Sequence, residues 1–93
     1  MIQGFQDQAT RDVFEGRMPR RFPQNVFQAA RRKLLQLDAA LVVEDMRIPP
    51  GNRLEALHGA RVGQWSVRVN DQYRICFTWG PQGPDNVEFV DYH

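Results

Sequence analysis

Residues 64–79, QWSVRVNDQYRICFTW, constrain the fold of this chain more than any other stretch. Trp65, Val67 and Val69 alternate with Ser66, Arg68 and Asn70. Tyr73, Ile75, Phe77 and Trp79 alternate with Arg74, Cys76 and Thr78. A period of two is the signature of strands with one buried face. The two apolar sets share a face only if the loop between them has an odd number of residues. A three-residue loop at Asn70-Asp71-Gln72 pairs Val69 with Tyr73, Val67 with Ile75 and Trp65 with Phe77. A slip by one residue would mix the faces, so the pattern sets the register. The same register puts Arg68 opposite Arg74 on the other face. Directly opposed like charges destabilise a sheet, and the pair makes sense where solvent or an anion lies between them.

The rest of the chain supplies what such a sheet needs. Residues 1–5 are a short strand candidate. Residues 6–15 read as a helix with Ala9, Val13 and Phe14 on its buried side, stopped at Gly16. Pro23 stands where the first turn of a helix tolerates proline. From there Phe27, Ala30, Leu34, Leu37 and Leu41 follow helical spacing, with Arg31, Arg32 and Lys33 mostly on the other side. Asp38 is a candidate cap for a further helical segment through about Val43. Residues 52–58 read as a strand anchored by Leu54 and Leu57, turning at Gly59. Residues 80–85 are a turn-rich break, and residues 87–92 form the last strand. Strands joined by short turns are antiparallel neighbours, and the helices are the available cover for the apolar face. The expected fold is α+β, a curved antiparallel sheet with two N-terminal helices packed on one face. The other face, bearing Ser66, Arg68, Arg74 and Thr78, is expected to stay open. A chain of 93 residues makes one domain, 1–93.

Composition narrows the function only a little. Charged residues are 25% and the formal net charge is +1, which argues neither for nor against nucleic acid. Of the 12 basic residues only Lys33 is lysine. Arginine suits bidentate phosphate recognition, although a proteome that prefers Arg over Lys would give the same count. Cys76 is the one cysteine, so the chain has no internal disulfide and no cysteine pair for a redox or zinc motif. A small structural role in its strand is expected. There is no basic-then-apolar leader pattern and no segment of membrane-span length, so a cytoplasmic protein away from membranes is expected.

The candidate chemistry lies in a few side chains. The last strand places Glu88, Val90 and Tyr92 on one face and Val87, Phe89, Asp91 and His93 on the other. His58 precedes Gly59 at a turn beside Glu55 and Arg53. Each alone has an ordinary reading as a frayed terminus or a solvated surface charge. Together they hold the groups needed to cleave RNA with side chains. A 2′-hydroxyl must lose a proton, a phosphorane must have its charge neutralised, and the 5′-oxygen must gain a proton. Arginine suits the second task. His, Tyr or a carboxylate suits the other two, His58 among them because an unperturbed imidazole titrates at about 6.5.

Three segments taken together carry a resemblance to a known family. They are I-P-P-G-N-R-L-E-A-L-H-G at 48–59, G-Q-W-S-V-R-V-N-D-Q-Y-R-I-C-F at 63–77, and the terminal V-D-Y-H at 90–93. Met1-Ile2 with Phe5 and the helix leading to Leu37-Asp38-Ala39 also fit, so nearly the whole chain is covered. The chain resembles the HigB toxins, within the RelE/ParE superfamily of bacterial toxin–antitoxin systems. The resemblance implies a RelE-like fold and an mRNA endonuclease that cuts message in the decoding site of the ribosome. It implies acid–base cleavage without metal or cofactor, leaving a 2′,3′-cyclic phosphate or its equivalent. The family's key arginine matches Arg74, and its C-terminal catalytic residues match Asp91, Tyr92 and His93. A basic residue before the loop glycine matches His58. Glu55 stands where some members carry histidine. A free glutamate, with a pKa of about 4.3, is the weaker base, so Glu55 and His58 remain alternatives for that role. Arg53 is a further RNA-contact candidate. Arg68 is a phosphate contact on the register argument alone.

The implied partners are a HigA-type antitoxin with a helix-turn-helix domain, the ribosome and its mRNA, with operator DNA reached only through the antitoxin. Two rival readings have other chemistry. One is a ParE-like toxin that is no nuclease and inhibits a protein target such as gyrase. The other is a plain RNA-binding module. The terminal Asp91-Tyr92-His93 and Arg74 speak against a pure binder, which does not need them.

Overall fold

A computed structural model describes residues 1–91. Two helices precede a four-stranded antiparallel sheet of order β1-β2-β3-β4. The helices are α1 (Gln8–Phe14) and α2 (Phe27–Ala39). The strands are β1 (Glu55–Ala56), β2 (Trp65–Arg68), β3 (Tyr73–Gly80) and β4 (Gly83–Asp91). Among the described residues no helix is long and apolar enough to cross a membrane.

The hairpin has the register expected of it. Trp65 faces Phe77, Val67 faces Ile75 and Arg68 faces Arg74. Val69 N–H donates to the Tyr73 carbonyl at 2.9 Å, closing the loop over Asn70-Asp71-Gln72. Asn70 is the reason three residues suffice. Its side-chain oxygen accepts from the backbone N–H of both Gln72 and Tyr73 at 2.8 Å, an Asx-type turn. Val67, Ile75, Phe77 and Val87 are fully buried with Leu34 and Leu37 of α2. The covered face is therefore the one that the alternation marks out.

Elsewhere the structure corrects the expectations, mostly because polar groups found distant partners. Residues 1–5 form no strand. Phe5 makes a single parallel bridge to Val87, flanked by bonds from Gln3 N–H to Pro84 and from Gln6 N–H to Val87. On α1, Ala9 is exposed and Thr10 is buried in its place. The Thr10 hydroxyl accepts the N–H of Phe89 at 3.0 Å, so a polar residue sits inside at no desolvation loss. Helix α2 ends at Ala39, and Asp38 caps no further segment. Its carboxylate accepts the Ile2 N–H at 2.8 Å instead. Ala40 is extended, and Leu41, expected on the apolar stripe, is 87% exposed. A single 3₁₀ turn at Val43–Arg47 follows. The break expected at residues 80–85 shrinks to Pro81-Gln82, since Gly80 already pairs with Gly83.

Residues 52–58 depart most from a strand. Only Glu55–Ala56 pairs with β2, while 3₁₀ turns occupy Pro50–Asn52 and Gly59–Arg61. Leu54 and Leu57 are buried anchors, as expected. The segment is held by Asn52, which is fully buried. Its amide nitrogen donates to the Met46 carbonyl at 3.0 Å, the Ile48 carbonyl at 3.3 Å and the Gln36 side chain at 3.2 Å, and its oxygen accepts from Lys33. Burial and the nearby charges of Arg32 and Arg68 push the Lys33 ammonium below its usual pKa. Asn52→Ala leaves the Met46 carbonyl without its donor, and urea unfolding should show a loss of about 2–4 kcal/mol. A change of under about 0.5 kcal/mol, the size of an ordinary surface substitution, would mean the network holds nothing.

Candidate active site

The open face is less open than its residue pattern implies. Ser66 and Cys76 on that face are fully buried, and the Arg74 side chain is 11% exposed. The segment after Asn52 folds back over them. Arg53 takes a left-handed backbone, φ 47° and ψ 57°, which costs a non-glycine residue about 1–2 kcal/mol. Its N–H is tied to the Pro50 carbonyl at 3.1 Å, and its own carbonyl accepts from Arg74 Nη2 at 2.6 Å. Strain of this kind collects where a site needs a particular geometry.

Arg74 is the best-held cation of the face. Its Nε donates to Ser66 Oγ at 2.8 Å, and Nη2 also lies 3.4 Å from the Ser66 carbonyl and 3.5 Å from Glu55 Oε1. Opposed to it, Arg68 donates to Asp71 Oδ1 at 2.5 Å. That bond from Arg68 holds the Asp71 carboxyl below the usual carboxylate range. The opposed arginines are thus compensated within the chain, one by Asp71 and the other by Glu55. The expected solvent or anion is matched in part by the chain's own carboxylates. Both carboxylates are on exposed residues, so the compensation is weak and open to exchange for a stronger anion.

A shallow cavity of about 190 Å³ is lined by Arg53, Glu55, Arg68, Asn70, Asp71 and Arg74. Four of the residues singled out from sequence therefore meet there. Asp91 ends the described part of β4, opposite Tyr73, and accepts a bond from Gln72 of the hairpin loop at 3.2 Å. That places it at the same end of the sheet as the cavity. His58 is exposed, begins the 3₁₀ turn at Gly59–Arg61 and is not part of the cavity wall. Tyr92 and His93 lie outside the described residues. Burial pushes the Cys76 thiol up in pKa, in keeping with a structural role.

Ser66 and Asn52 were not foreseen as supports of the site. The signal for Ser66 was available, because it lies on the face of Arg68 and Arg74. Asn52 gives no such signal, since a buried amide reads like a surface residue until its partners are known.

The comparisons with known proteins bear on this arrangement directly. Residues 3–93 match the family described as HigB-like toxin, RelE-like toxin of the type II toxin–antitoxin system HigB. The chain belongs to the HigB-like toxin family. The match takes in the hairpin, the cavity and the terminal Asp91-Tyr92-His93. The toxin is also 45% identical over 80 residues to Toxin HigB-1 of Vibrio cholerae serotype O1, which covers 85% of this chain and 84% of that protein. It is 33% identical over 73 residues to an uncharacterised protein of Haemophilus influenzae, covering 78% of this chain and 71% of the other. The two helices on a four-stranded antiparallel sheet agree with a RelE-like fold. A toxin of a type II system has an antitoxin as its partner, so one surface of this toxin serves that contact.

Proposed function

We propose that this toxin is a ribosome-dependent mRNA endonuclease that cleaves by acid–base chemistry at the 2′-hydroxyl. The observation that carries the reading is the placement of Arg74. It is nearly buried, oriented by Ser66 Oγ and the Arg53 carbonyl, and turned to a cavity whose other cations are Arg53 and Arg68. A phosphorane gains charge on its oxygens as it forms. A guanidinium fixed beforehand stabilises that charge without reorganising.

The remaining roles are proposed with support from the family match and, for Arg53, Glu55, Arg68 and Arg74, from the shared cavity. Arg74 stabilises the phosphorane, and Arg53 and Arg68 contact RNA phosphates. As substrate enters, its phosphates displace Glu55 and Asp71 from Arg74 and Arg68, since charge-assisted bidentate bonds are the stronger ones. Glu55, released beside the reacting phosphate, and His58 are the alternative bases. Tyr92 and His93 transfer protons or orient the substrate, and Asp91 holds the end of the terminal strand. The antitoxin is of the HigA type, operator DNA is contacted through it, and the toxin works in the cytoplasm.

The test is to map message ends after adding the toxin to translating ribosomes and to the same message alone. Cuts that need the ribosome support the reading. Intact message beside DNA supercoils left unresolved by gyrase would replace it with protein-target inhibition.

A further inference from the structure

Arg74 is aimed by groups on two sides. On one side Ser66 Oγ accepts from its Nε at 2.8 Å. On the other the Arg53 carbonyl accepts from its Nη2 at 2.6 Å. Bonds at two nitrogens of a planar guanidinium fix its plane as well as its position. Ser66 belongs to β2, which the sheet itself pairs with β3. Arg53 lies between a 3₁₀ turn and β1, outside any strand, so something else must place its carbonyl. Its two neighbours are both buried, in different ways. Leu54 is an apolar anchor, which sets depth but not rotation, because hydrophobic burial has no direction.

Asn52 supplies the direction, because hydrogen bonds are angular. Its Nδ2 donates to Gln36 Oε1 and to the carbonyls of Met46 and Ile48, and its Oδ1 accepts from Lys33 Nζ. Lys33 and Gln36 stand one helical turn apart on α2, so the amide is gripped from the helix and from the preceding turn at once. Its backbone N–H donates to the Pro49 carbonyl at 2.9 Å. Side chain and main chain are thus fixed together where the left-handed φ of Arg53 begins. Three local costs meet here. A left-handed arginine is strained. A buried amide must be satisfied at each polar atom. Lys33, lowered in pKa by burial and by Arg32 and Arg68, makes no ion pair among the described residues. Its partner is the neutral amide, and it is the single lysine among 12 basic residues. Apolar side chains at 33 and 52 would avoid the second and third costs. What they sustain instead is one carbonyl pointed at Arg74. Local rules of stability give way in this manner where geometry serves a site.

We propose that Asn52, backed by Lys33, is a positioning residue for Arg74: it holds the turn at Arg53 so that the carbonyl keeps the guanidinium aimed into the cavity. The inference rests on the endonuclease reading above, in which that guanidinium meets the phosphorane. Asn52 is buried and touches no substrate, so its loss acts on Arg74 and through it on the chemical step. A small error in the aim of a preorganised donor is felt strongly in the rate. Lys33→Met keeps an unbranched stem and removes the ammonium that grips the amide. Any general attraction for RNA lost with that charge appears in KM, whereas lost aim appears in kcat.

The experiment measures cleavage on translating ribosomes by Asn52→Ala and Lys33→Met, each with Arg74 intact and with Arg74→Ala, at matched folded fractions. Asn52→Ala should lower kcat about tenfold and move KM less than about twofold; Lys33→Met should lower kcat about threefold. With Arg74→Ala in place, neither change should lower the remaining kcat by more than about 1.5-fold, since the group they act through is gone. Lys33 is partly exposed, so Lys33→Met carries the test where Asn52→Ala folds poorly. A reading independent of RNA comes from NMR of the free toxin. The order parameter of the Arg74 Nε–H bond should fall by about 0.2 or more in both variants. An unchanged kcat, an equal loss with and without Arg74, or an undiminished order parameter makes Asn52 structural alone. Each overturns the proposal and leaves the endonuclease reading standing. Absence of any cutting by the unaltered toxin removes both.

Discussion

Arg74→Ala should lower ribosome-dependent cleavage by roughly 10²-fold or more, the usual cost of losing a preorganised donor to a developing oxyanion. The loss should fall on kcat more than on KM, because Arg53 and Arg68, the proposed ground-state phosphate contacts, still line the cavity. Arg74→Lys separates charge from geometry. It keeps a cation but loses the planar fork that reaches Ser66 Oγ and the Arg53 carbonyl together. Most of the activity should go with it. Both variants strip a partner from the buried Ser66 hydroxyl, so a stability loss of about 1–3 kcal/mol is expected as well. Rates are therefore compared at matched folded fractions, measured by urea unfolding. A kcat that survives Arg74→Ala would reduce this side chain to a structural tie between β3 and the segment at residue 53.

A chain ending at Tyr92, without His93, should lose cleavage by a similar factor of roughly 10² or more if His93 moves a proton in the transition state. The described part of β4 ends at Asp91, at the cavity's end of the sheet. Asp91 pairs with Tyr73, the neighbour of Arg74, and is tied to Gln72 in the hairpin loop. Urea unfolding of this variant is measured alongside, and its rates too are compared at matched folded fractions. Full activity without His93 would remove it from the mechanism and leave Glu55, His58 and Tyr92 to share the proton transfers.

The hairpin was legible because its two strands carry independent alternations that agree on one register, and Asn70 closes the loop that this register needs. The Arg68–Arg74 opposition followed from the same arithmetic. What alternation cannot show is a polar group satisfied from far along the chain. Thr10 bonds Phe89, Asp38 bonds Ile2, and Arg61 pairs with Glu88. Each partner is remote in sequence, and each changes a local outcome. Thr10 takes the interior position expected of Ala9; past α2, the Asp45 carboxylate accepts the N–H groups of Leu41 and Val42 where the chain runs extended, and Leu41 is in solvent. The site shows the same division. Arg53, Glu55, Arg68 and Arg74 were nameable one by one, and the structure brings them to one cavity. Of their supports, Ser66 shares the face of Arg68 and Arg74 and could be named from it; Asn52, whose side chain is satisfied by residues 33, 36, 46 and 48, could not. His58, adjacent in sequence, stays outside the cavity wall because β1 ends at Ala56 and the next turn carries it away.

The proposed chemistry cuts RNA through the 2′-hydroxyl next to the scissile phosphate. A message carrying a single 2′-deoxynucleotide at a mapped cut, read on translating ribosomes, tests it most directly. Cutting should disappear at that position and continue at the others. Undiminished cutting at the deoxynucleotide would contradict it, because no acid, base or fixed arginine can make up for a missing nucleophile.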